Sequence, residues 1–269
     1  MSMTTPPLEL AVDVAHRAGA LLVRYAAELR DGVDLGVSTK SSASDPVSEA
    51  DRAAERLIAG GLLDARPDDG LLGEEGQASR PGTSGYRWVV DPLDGTVNFL
   101  YGRPTWCVSI ACEDADGTVV GVVHAPQLGE TWTATRGGGA RRHETGHVLA
   151  VSEVTELGEC LVATGFSYDP LVRADQGRAV ADLVPRARDV RRDGSAALDL
   201  AWVAAGRADG YVEAGLNPWD WAAGRLLVTE AGGRVSTASW TLGGRSRAAV
   251  VAGGAAAHDH LLAWLEERP

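Results

Sequence analysis

The residues of this chain best suited to chemistry lie in Asp91-Pro92-Leu93-Asp94-Gly95-Thr96, where two carboxylates stand three positions apart after a short apolar run. Proline stiffens the segment and glycine turns it. If both carboxylates point to one side they can share hard cations, with the Leu93 carbonyl between them as a third oxygen ligand. Mg²⁺ takes oxygen ligands and keeps several waters, so a carboxylate-rich site suits it. Thr96 and the amides after it could open a short helix whose N-terminus faces a phosphate. A plain N-cap turn would account for one Asp and the Thr, but not for both acids around a Pro. An EF-hand loop would need Glu at its twelfth position, which here is Gly102.

Leu71-Leu72-Gly73-Glu74-Glu75-Gly76 sets two acids after an apolar step and between glycines. Alone it reads as an exposed acidic turn. With the Asp91 pair close by in sequence, Glu74 becomes a candidate third metal carboxylate and Glu75 the one that reaches solvent. Asn217-Pro218-Trp219-Asp220-Trp221 opens a helix, and Asp220 has two readings. It is a cap-region acid favoured by the helix dipole, or a charge shielded by two tryptophans that needs a partner or a metal. Lys40 is the single lysine among 25 basic residues. It is a compact point charge retained for use, or a survivor on a surface loop.

The formal net charge of −12 argues against a nucleic-acid-binding surface, which must neutralise phosphates with Lys and Arg. An acidic enzyme can still process phosphates when metal ions supply positive charge locally. Hydrophobic residues at 45% and charged residues at 23% are ordinary for a soluble globular protein. No apolar run approaches the roughly 20 residues that span a bilayer, and Met1 to Pro7 shows no basic-then-apolar leader. Cys107, Cys112 and Cys160 are an odd number without a CxxC pair, so they read as buried thiols of a reducing compartment. The expected location is the cytoplasm.

The elements that must position these residues follow from periodicity. Leu8 to Arg30 patterns as an amphipathic helix. Val47 to Ile58 patterns as a second, entered at Ser44 or Asp45 with Pro46 in its first turn. Gly32 to Ser44, with Lys40, is expected as an extended hairpin-like stretch or loop. Tyr86 to Val90 is an apolar strand ending at Asp91. Trp106 to Cys112, Val119 to His124 and Glu130 to Thr135 follow as strands of an antiparallel meander. Farther on come strands at Leu161 to Thr164, Asp189 to Arg191 and Gly210 to Glu213. Helices are expected at Asp175 to Leu183, Gly194 to Ala205, Trp219 to Ala231 and His258 to Glu267. The chain divides near residue 146 into an N-terminal α+β half (1–146), with the meander and metal-binding loop, and a C-terminal α/β half (147–269), with the substrate segment. Together they form one catalytic unit.

The motifs together resemble the inositol monophosphatase family. The resemblance rests on Gly73-Glu74-Glu75, on Asp91-Pro92-Leu93-Asp94-Gly95-Thr96 with Asn98-Phe99, and on Gly194-Ser195-Ala196. It is completed by Trp219-Asp220 leading into Glu230-Ala231-Gly232-Gly233. Arg191 to Leu200 is most similar to the bacterial inositol-1-monophosphatase-like branch. The resemblance implies an α/β (α+β) fold, a layered α-β-α-β-α sandwich. It implies Glu74, Asp91 and the Leu93 carbonyl for one Mg²⁺, and Asp91, Asp94 and Asp220 for a second. A third metal would be held mainly by Glu74 and waters. Glu74 with Thr96 would orient the attacking water, Asp51 would support Thr96, and Lys40 matches a lysine near the metals. Gly95 and Thr96 amides would hold the phosphate, Asp94 and Asp220 would also be among the substrate-binding residues, and Gly194, Ser195, Ala196 and Glu213 would face the alcohol. The implied reaction is in-line hydrolysis of a small phosphorylated polyol such as inositol 1-phosphate by an activated water, without a phospho-enzyme. A homodimer and lithium sensitivity are implied as well.

Histidinol phosphate, fructose 1,6-bisphosphate and phosphoadenosine phosphate are alternative substrates for the same mechanism. Asn217-Pro218 and Asp193 vary the substrate border. An Asp-x-Asp aspartyl nucleophile would need its acids two apart, not three. Similar bacterial proteins also act on the transcription machinery, so an additional non-catalytic interaction role is an alternative. His258-Asp259-His260 is expected to be solvated. Gly137-Gly138-Gly139 lacks the Gly-Lys-Ser/Thr ending of a phosphate loop and is expected as a tight turn. Arg186, Arg188, Arg191 and Arg192 are expected on a solvated or subunit-contact surface. Trp219 is expected near the site.

Overall fold

Leu10, Val14, Ala18 and Leu22 recur every four residues and form the buried stripe of helix α1 (Pro7–Arg30). The computed structural model describes residues 7–39, 46–76 and 79–267, so Lys40, Ser44 and Asp45 lie outside the described residues. Strands β1 (Ser38–Thr39) and β2 (Pro46–Val47) form a short antiparallel pair. Helix α2 (Glu49–Ala65) therefore starts later than patterning predicts, with Pro46 in a strand and not in the first helical turn. Ser48 is its N-cap: the Ser48 hydroxyl accepts from the Ala50 amide, and Asp51 Oδ2 accepts from the Ser48 amide at 2.8 Å.

Strands β3 (Gly70–Gly73) and β4 (Arg87–Asp94) run parallel. Helix α3 (Thr96–Leu100) is a single turn and leads into the meander β5 (Cys107–Asp114), β6 (Gly117–Ala125), β7 (Glu130–Thr135) and β8 (Gly139–Arg142). These six strands form one sheet in the order β3-β4-β5-β6-β7-β8. Glycine at 137 and 139, both with positive φ, makes the turn between β7 and β8.

A second sheet, in the order β10-β9-β11-β13-β12, follows. Its chain order is β9 (Leu161–Thr164), α4 (Pro170–Leu183), β10 (Asp189–Arg191), α5 (Ala196–Ala204), β11 (Gly210–Ala214), α6 (Pro218–Glu230), β12 (Arg234–Leu242), β13 (Arg245–Gly253) and α7 (Ala255–Glu266). Gly194 has φ 87° and stands before α5, so that helix begins at Ala196 and not at Gly194. Patterning marks no element between Ala231 and His258, yet β12 and β13, nine residues each, form a hairpin there. His258 is buried, within 2.8 Å of the Ser236 hydroxyl, which corrects its expected solvation.

The layers are α-β-α-β-α. Helices α1 and α2 cover one face of the six-stranded sheet around Leu22, Ile58, Leu62 and Trp88. Helices α5 and α6 fill the space between the sheets, with Leu198, Leu200, Leu227 and Trp132 buried there. Helices α4 and α7 cover the outer face of the second sheet around Leu183, Val251 and Trp264. Among the described residues no helix is long and apolar enough to cross a membrane.

Candidate active site

Register in β4 positions the first two acids. Asp91 pairs with Ser109 and Asp94 with Cys107, with an irregularity between them at Pro92-Leu93. That break lets Asp91 Oδ1 accept from the Leu93 amide at 2.9 Å and brings Asp91, Leu93 and Asp94 to the wall of one cavity. Gly95 then turns the chain at φ 95°, and a β carbon on it would lie 3.0 Å from the Thr105 carbonyl oxygen. Only glycine meets both demands. The Thr96 hydroxyl lies 3.0 Å from Asp51 Oδ1 and 3.2 Å from the Leu93 carbonyl oxygen, so its proton is held between two acceptors.

Glu74 leaves the end of β3, its amide donating to the Val90 carbonyl at 3.2 Å. The buried Glu55 accepts the Glu75 amide at 2.8 Å and fixes the turn; Glu75 is half-buried and not solvent-facing as expected. Asp220 sits in the first turn of α6 and accepts the Asn217 amide at 2.6 Å, which is the cap-region geometry. It also lines the same cavity as Glu74, Asp91 and Asp94, so the two readings of Asp220 are compatible. Trp219 is half-buried against the central core and does not line the cavity.

The second half closes the site. The Ser195 hydroxyl and the Ala197 amide both donate to Asp94 Oδ2 at 2.7 Å. Asn98 Nδ2 donates to the Asp193 carbonyl at 2.7 Å, tying the segment before Gly194 to α3. Glu213 projects from β11 and accepts the Tyr211 hydroxyl at 2.7 Å. A side chain at Gly165 would collide with that carboxylate. The resulting cavity, of about 580 Å³, is lined by every expected site residue except Asp51 and Lys40. Asp51 stands behind Thr96 and is fully buried, and Lys40 lies outside the described residues.

Burial raises the proton affinity of Asp91, Asp94, Asp220 and Glu213. Asp91 is pushed well up by burial and then by the charges of Glu74, Asp94 and Asp220. Asp94 is pushed up to about 6, burial outweighing its bonds to Ser195 and Ala197. Asp220 is pushed well up by burial and by Asp94. Burial takes Glu213 to about 7, against the lowering effects of the Tyr211 hydroxyl and Arg192. Beyond burial, the charges that raise Asp91, Asp94 and Asp220 come from one another, from Glu74 and from Glu213.

The donor set is therefore all oxygen and strongly negative. Among the described residues no three Asp, Glu, His or Cys side chains close into a ready-made metal cage. An open row of carboxylates suits a hard cation that keeps waters better than one that demands a complete protein shell. The residues that fit are Glu74, Asp91, Asp94, Asp220 and the Leu93 carbonyl.

Three further residues escape motif reasoning. Arg192, from the basic cluster expected on the outer surface, is exposed but lines the cavity beside Glu213. Arg247 of β13 also lines the cavity. Asp199 in α5 is buried and pushed well up by burial and by Asp193, with Oδ1 lacking a hydrogen-bond partner. Asp199 follows Ser195 by four residues on the helix, and that spacing was the available signal for it.

The model of the inositol monophosphatase family matches residues 4–268. The inositol-1-monophosphatase SuhB of Mycobacterium tuberculosis is 45% identical over 239 residues, covering 87% of this chain and 82% of that protein. A protein of Xylella fastidiosa named Nus factor SuhB is 44% identical over 234 residues, with coverage of 87% and 82%. The crystal structure of the extragenic suppressor protein suhB from Bartonella henselae superposes with a TM-score of 0.86 at 39% identity, covering 96% of this chain and 98% of that one. With the layered fold and the motifs in order, these matches establish that the chain belongs to the inositol monophosphatase family of phosphatases.

Proposed function

We propose that this phosphatase hydrolyses a small phosphorylated polyol, with inositol 1-phosphate the leading substrate, and that it uses Mg²⁺. The observation that carries the reading is the convergence of Glu74, Asp91, Asp94 and Asp220 on one cavity, where burial and the charges of neighbouring acids raise Asp91, Asp94 and Asp220 together. Glu74, Asp91 and the Leu93 carbonyl would hold one ion, and Asp91, Asp94 and Asp220 a second, with a weaker third near Glu74. When bound, the ions supply the positive charge that eases deprotonation of a water and neutralises the departing alkoxide.

The chain's own groups do the rest. Glu74 and the Thr96 hydroxyl orient the attacking water in line with the leaving alcohol, and Asp51 fixes the hydroxyl rotor of Thr96. Amides at Gly95 and Thr96 cradle the phosphate at the opening of α3. Glu213 accepts a substrate hydroxyl, and Gly194, Ser195 and Ala196 shape the wall behind the ring. A homodimer, lithium inhibition, a cytoplasmic location and a role for Lys40 near the metals belong to the same reading.

Phosphate release is the test, using inositol 1-phosphate, histidinol phosphate and phosphoadenosine phosphate with Mg²⁺. Highest kcat/KM on inositol 1-phosphate supports the branch, and preference for another compound moves it. A second reading rests on the relative named Nus factor SuhB: an added role with the transcription machinery. Capture of transcription components by an Asp94→Asn variant without activity would separate that role from catalysis.

A further inference from the structure

Helix α2 buries two acids one turn apart on the same face, Asp51 and Glu55. Asp51 is engaged on both oxygens. Its Oδ2 accepts the Ser48 amide at 2.8 Å and the Ser48 hydroxyl at 2.6 Å, and its Oδ1 accepts the Thr96 hydroxyl at 3.0 Å. Glu55 is 2% exposed and does not line the cavity, and among the described residues its Oε1 has no hydrogen-bond partner. A buried acceptor left unsatisfied costs stability, and an apolar residue at 55 would avoid that cost. Core packing alone therefore does not explain a carboxyl there.

The other oxygen of Glu55 meets the Gly73-Glu74-Glu75 turn. Glu55 Oε2 accepts the Glu75 amide at 2.8 Å, while the Glu74 amide donates to the Val90 carbonyl at 3.2 Å. The peptides on the two sides of the Glu74 α carbon are thus held by different elements, β4 before it and α2 after it. Because each peptide is planar, fixing both leaves the α carbon little freedom in φ and ψ and sets the direction in which the Glu74 side chain departs. Gly73 completes the fit, since a β carbon on it would collide with the Glu55 carboxylate. The Gly73 amide donates to the Ser79 hydroxyl at 3.1 Å, and the Gly76 amide donates to the Gly73 carbonyl at 3.3 Å, so the turn closes around that contact.

We propose that Glu55 is a positioning residue for Glu74, so that one helix sets both groups assigned to orient the attacking water: Asp51 through Thr96, and Glu55 through the turn that carries Glu74. The inference rests on the Mg²⁺-dependent phosphatase reading and deepens it. Glu55 acts from outside the cavity, by fixing the peptide after Glu74 and with it the placement of the Glu74 carboxyl on the cavity wall.

The test is calorimetric titration of Mg²⁺ into the protein without substrate, together with kcat and KM for inositol 1-phosphate at saturating Mg²⁺, for wild type, Glu55→Ala and Glu55→Gln. Glu55→Ala should weaken Mg²⁺ binding about tenfold and lower kcat about tenfold while KM stays within about twofold, the effect expected of a group that orients a metal carboxylate. Glu55→Gln keeps a carbonyl oxygen for the Glu75 amide and should recover most of both. In a Glu74→Gln background Glu55→Ala should cost little more, since the group it positions is already altered. Unmoved Mg²⁺ affinity and kcat in Glu55→Ala overturn the role. So does a Glu55→Gln as defective as Glu55→Ala, or an undiminished further loss in the Glu74→Gln background. If Glu55→Ala does not fold, Gly73→Ala decides, because its β carbon displaces the Glu55 carboxylate. The same loss there sustains the role, and wild-type Mg²⁺ affinity overturns it. If wild type binds Mg²⁺ but releases no phosphate from inositol 1-phosphate, the substrate reading fails and Mg²⁺ affinity alone decides the role. Wild type that binds no Mg²⁺ overturns the metal reading and the positioning role together.

Discussion

The Ser195 hydroxyl donates to Asp94 Oδ2 at 2.7 Å across 101 residues of chain, joining the six-stranded sheet to the helix layer behind it at the centre of the cavity. The Ala197 amide donates to the same oxygen at 2.7 Å, so the Asp94 carboxylate is fixed where it lines the cavity. Partners that orient a metal carboxylate typically matter about 10- to 100-fold in metal affinity or activity. Ser195→Ala is expected near the lower end of that range because the amide remains. The measurement is the Mg²⁺ concentration giving half-maximal phosphate release, which should rise about tenfold; an unmoved midpoint would remove Ser195 from the metal account.

Thr96 and Asp51 make a separable pair. Thr96→Val keeps the shape and removes the hydroxyl that orients the attacking water, so kcat should fall at least about 100-fold. Loss of the Thr96 bond to buried Asp51 should also lower stability by about 1–3 kcal/mol. Thr96→Ser restores the hydroxyl and should recover most of the rate. Equal defects in both variants would mean that the methyl group, not the hydroxyl, is what matters.

Gly165 makes room for Glu213. Because a β carbon at 165 collides with the Glu213 carboxylate, Gly165→Ala should displace that group and raise KM for a polyol phosphate about tenfold. Adding Gly165→Ala to Glu213→Ala should then cost little more, since the collision has gone. Additive losses in this double-mutant cycle would show that Gly165 acts elsewhere.

A histidine cluster far from the cavity sets an acid limit. His16 Nε2 and His124 Nδ1 each lie 3.0 Å from the Thr131 hydroxyl, and the two rings are 4.6 Å apart. His143 stands 5.6 Å from His16, with Glu144 and Asp13 the acids nearby and a hydrogen bond between the Glu130 backbone and His124. Burial, and then the His16 charge, lowers His124 to about 4, and burial lowers His16. A depressed histidine favours folding while neutral, so its stability is full above the unfolded value of 6.5 and falls as pH drops toward 4. The loss from His124 is about 3 kcal/mol over that window. Thermal melting from pH 7.5 to 4 should show a steep decline that His124→Asn flattens; parallel curves would contradict the assignment.

How much of this could be read in advance depended on the kind of signal. The Asp91 to Thr96 segment was legible because its residue types are unusual together, and the meander was legible because apolar strands alternate with glycine turns. The hairpin β12–β13 was not, since Arg234, Ser236, Thr237 and Ser239 leave one strand half polar and Gly243-Gly244 resembles any loop. With the hairpin went Arg247, which in sequence is one more basic residue among 25. Sequence alone groups Arg192 with its surface neighbours because sequence distance cannot show that Gly194 turns the chain there. Patterning places the start of α2 too early because Ser44, Asp45 and Ser48 all have cap-forming side chains, and Asp51 reaching back to Ser48 decides among them.

The central claim is that the carboxylates of the cavity work through a bound cation. The direct measurement is phosphate release from inositol 1-phosphate by wild type and Asp94→Asn, each with saturating Mg²⁺ and with excess chelator. The account predicts turnover by wild type with Mg²⁺, loss of at least about 100-fold with chelator, and a comparable loss in Asp94→Asn that added Mg²⁺ does not restore. Undiminished turnover in chelator, or an Asp94→Asn enzyme as active as wild type, would contradict it.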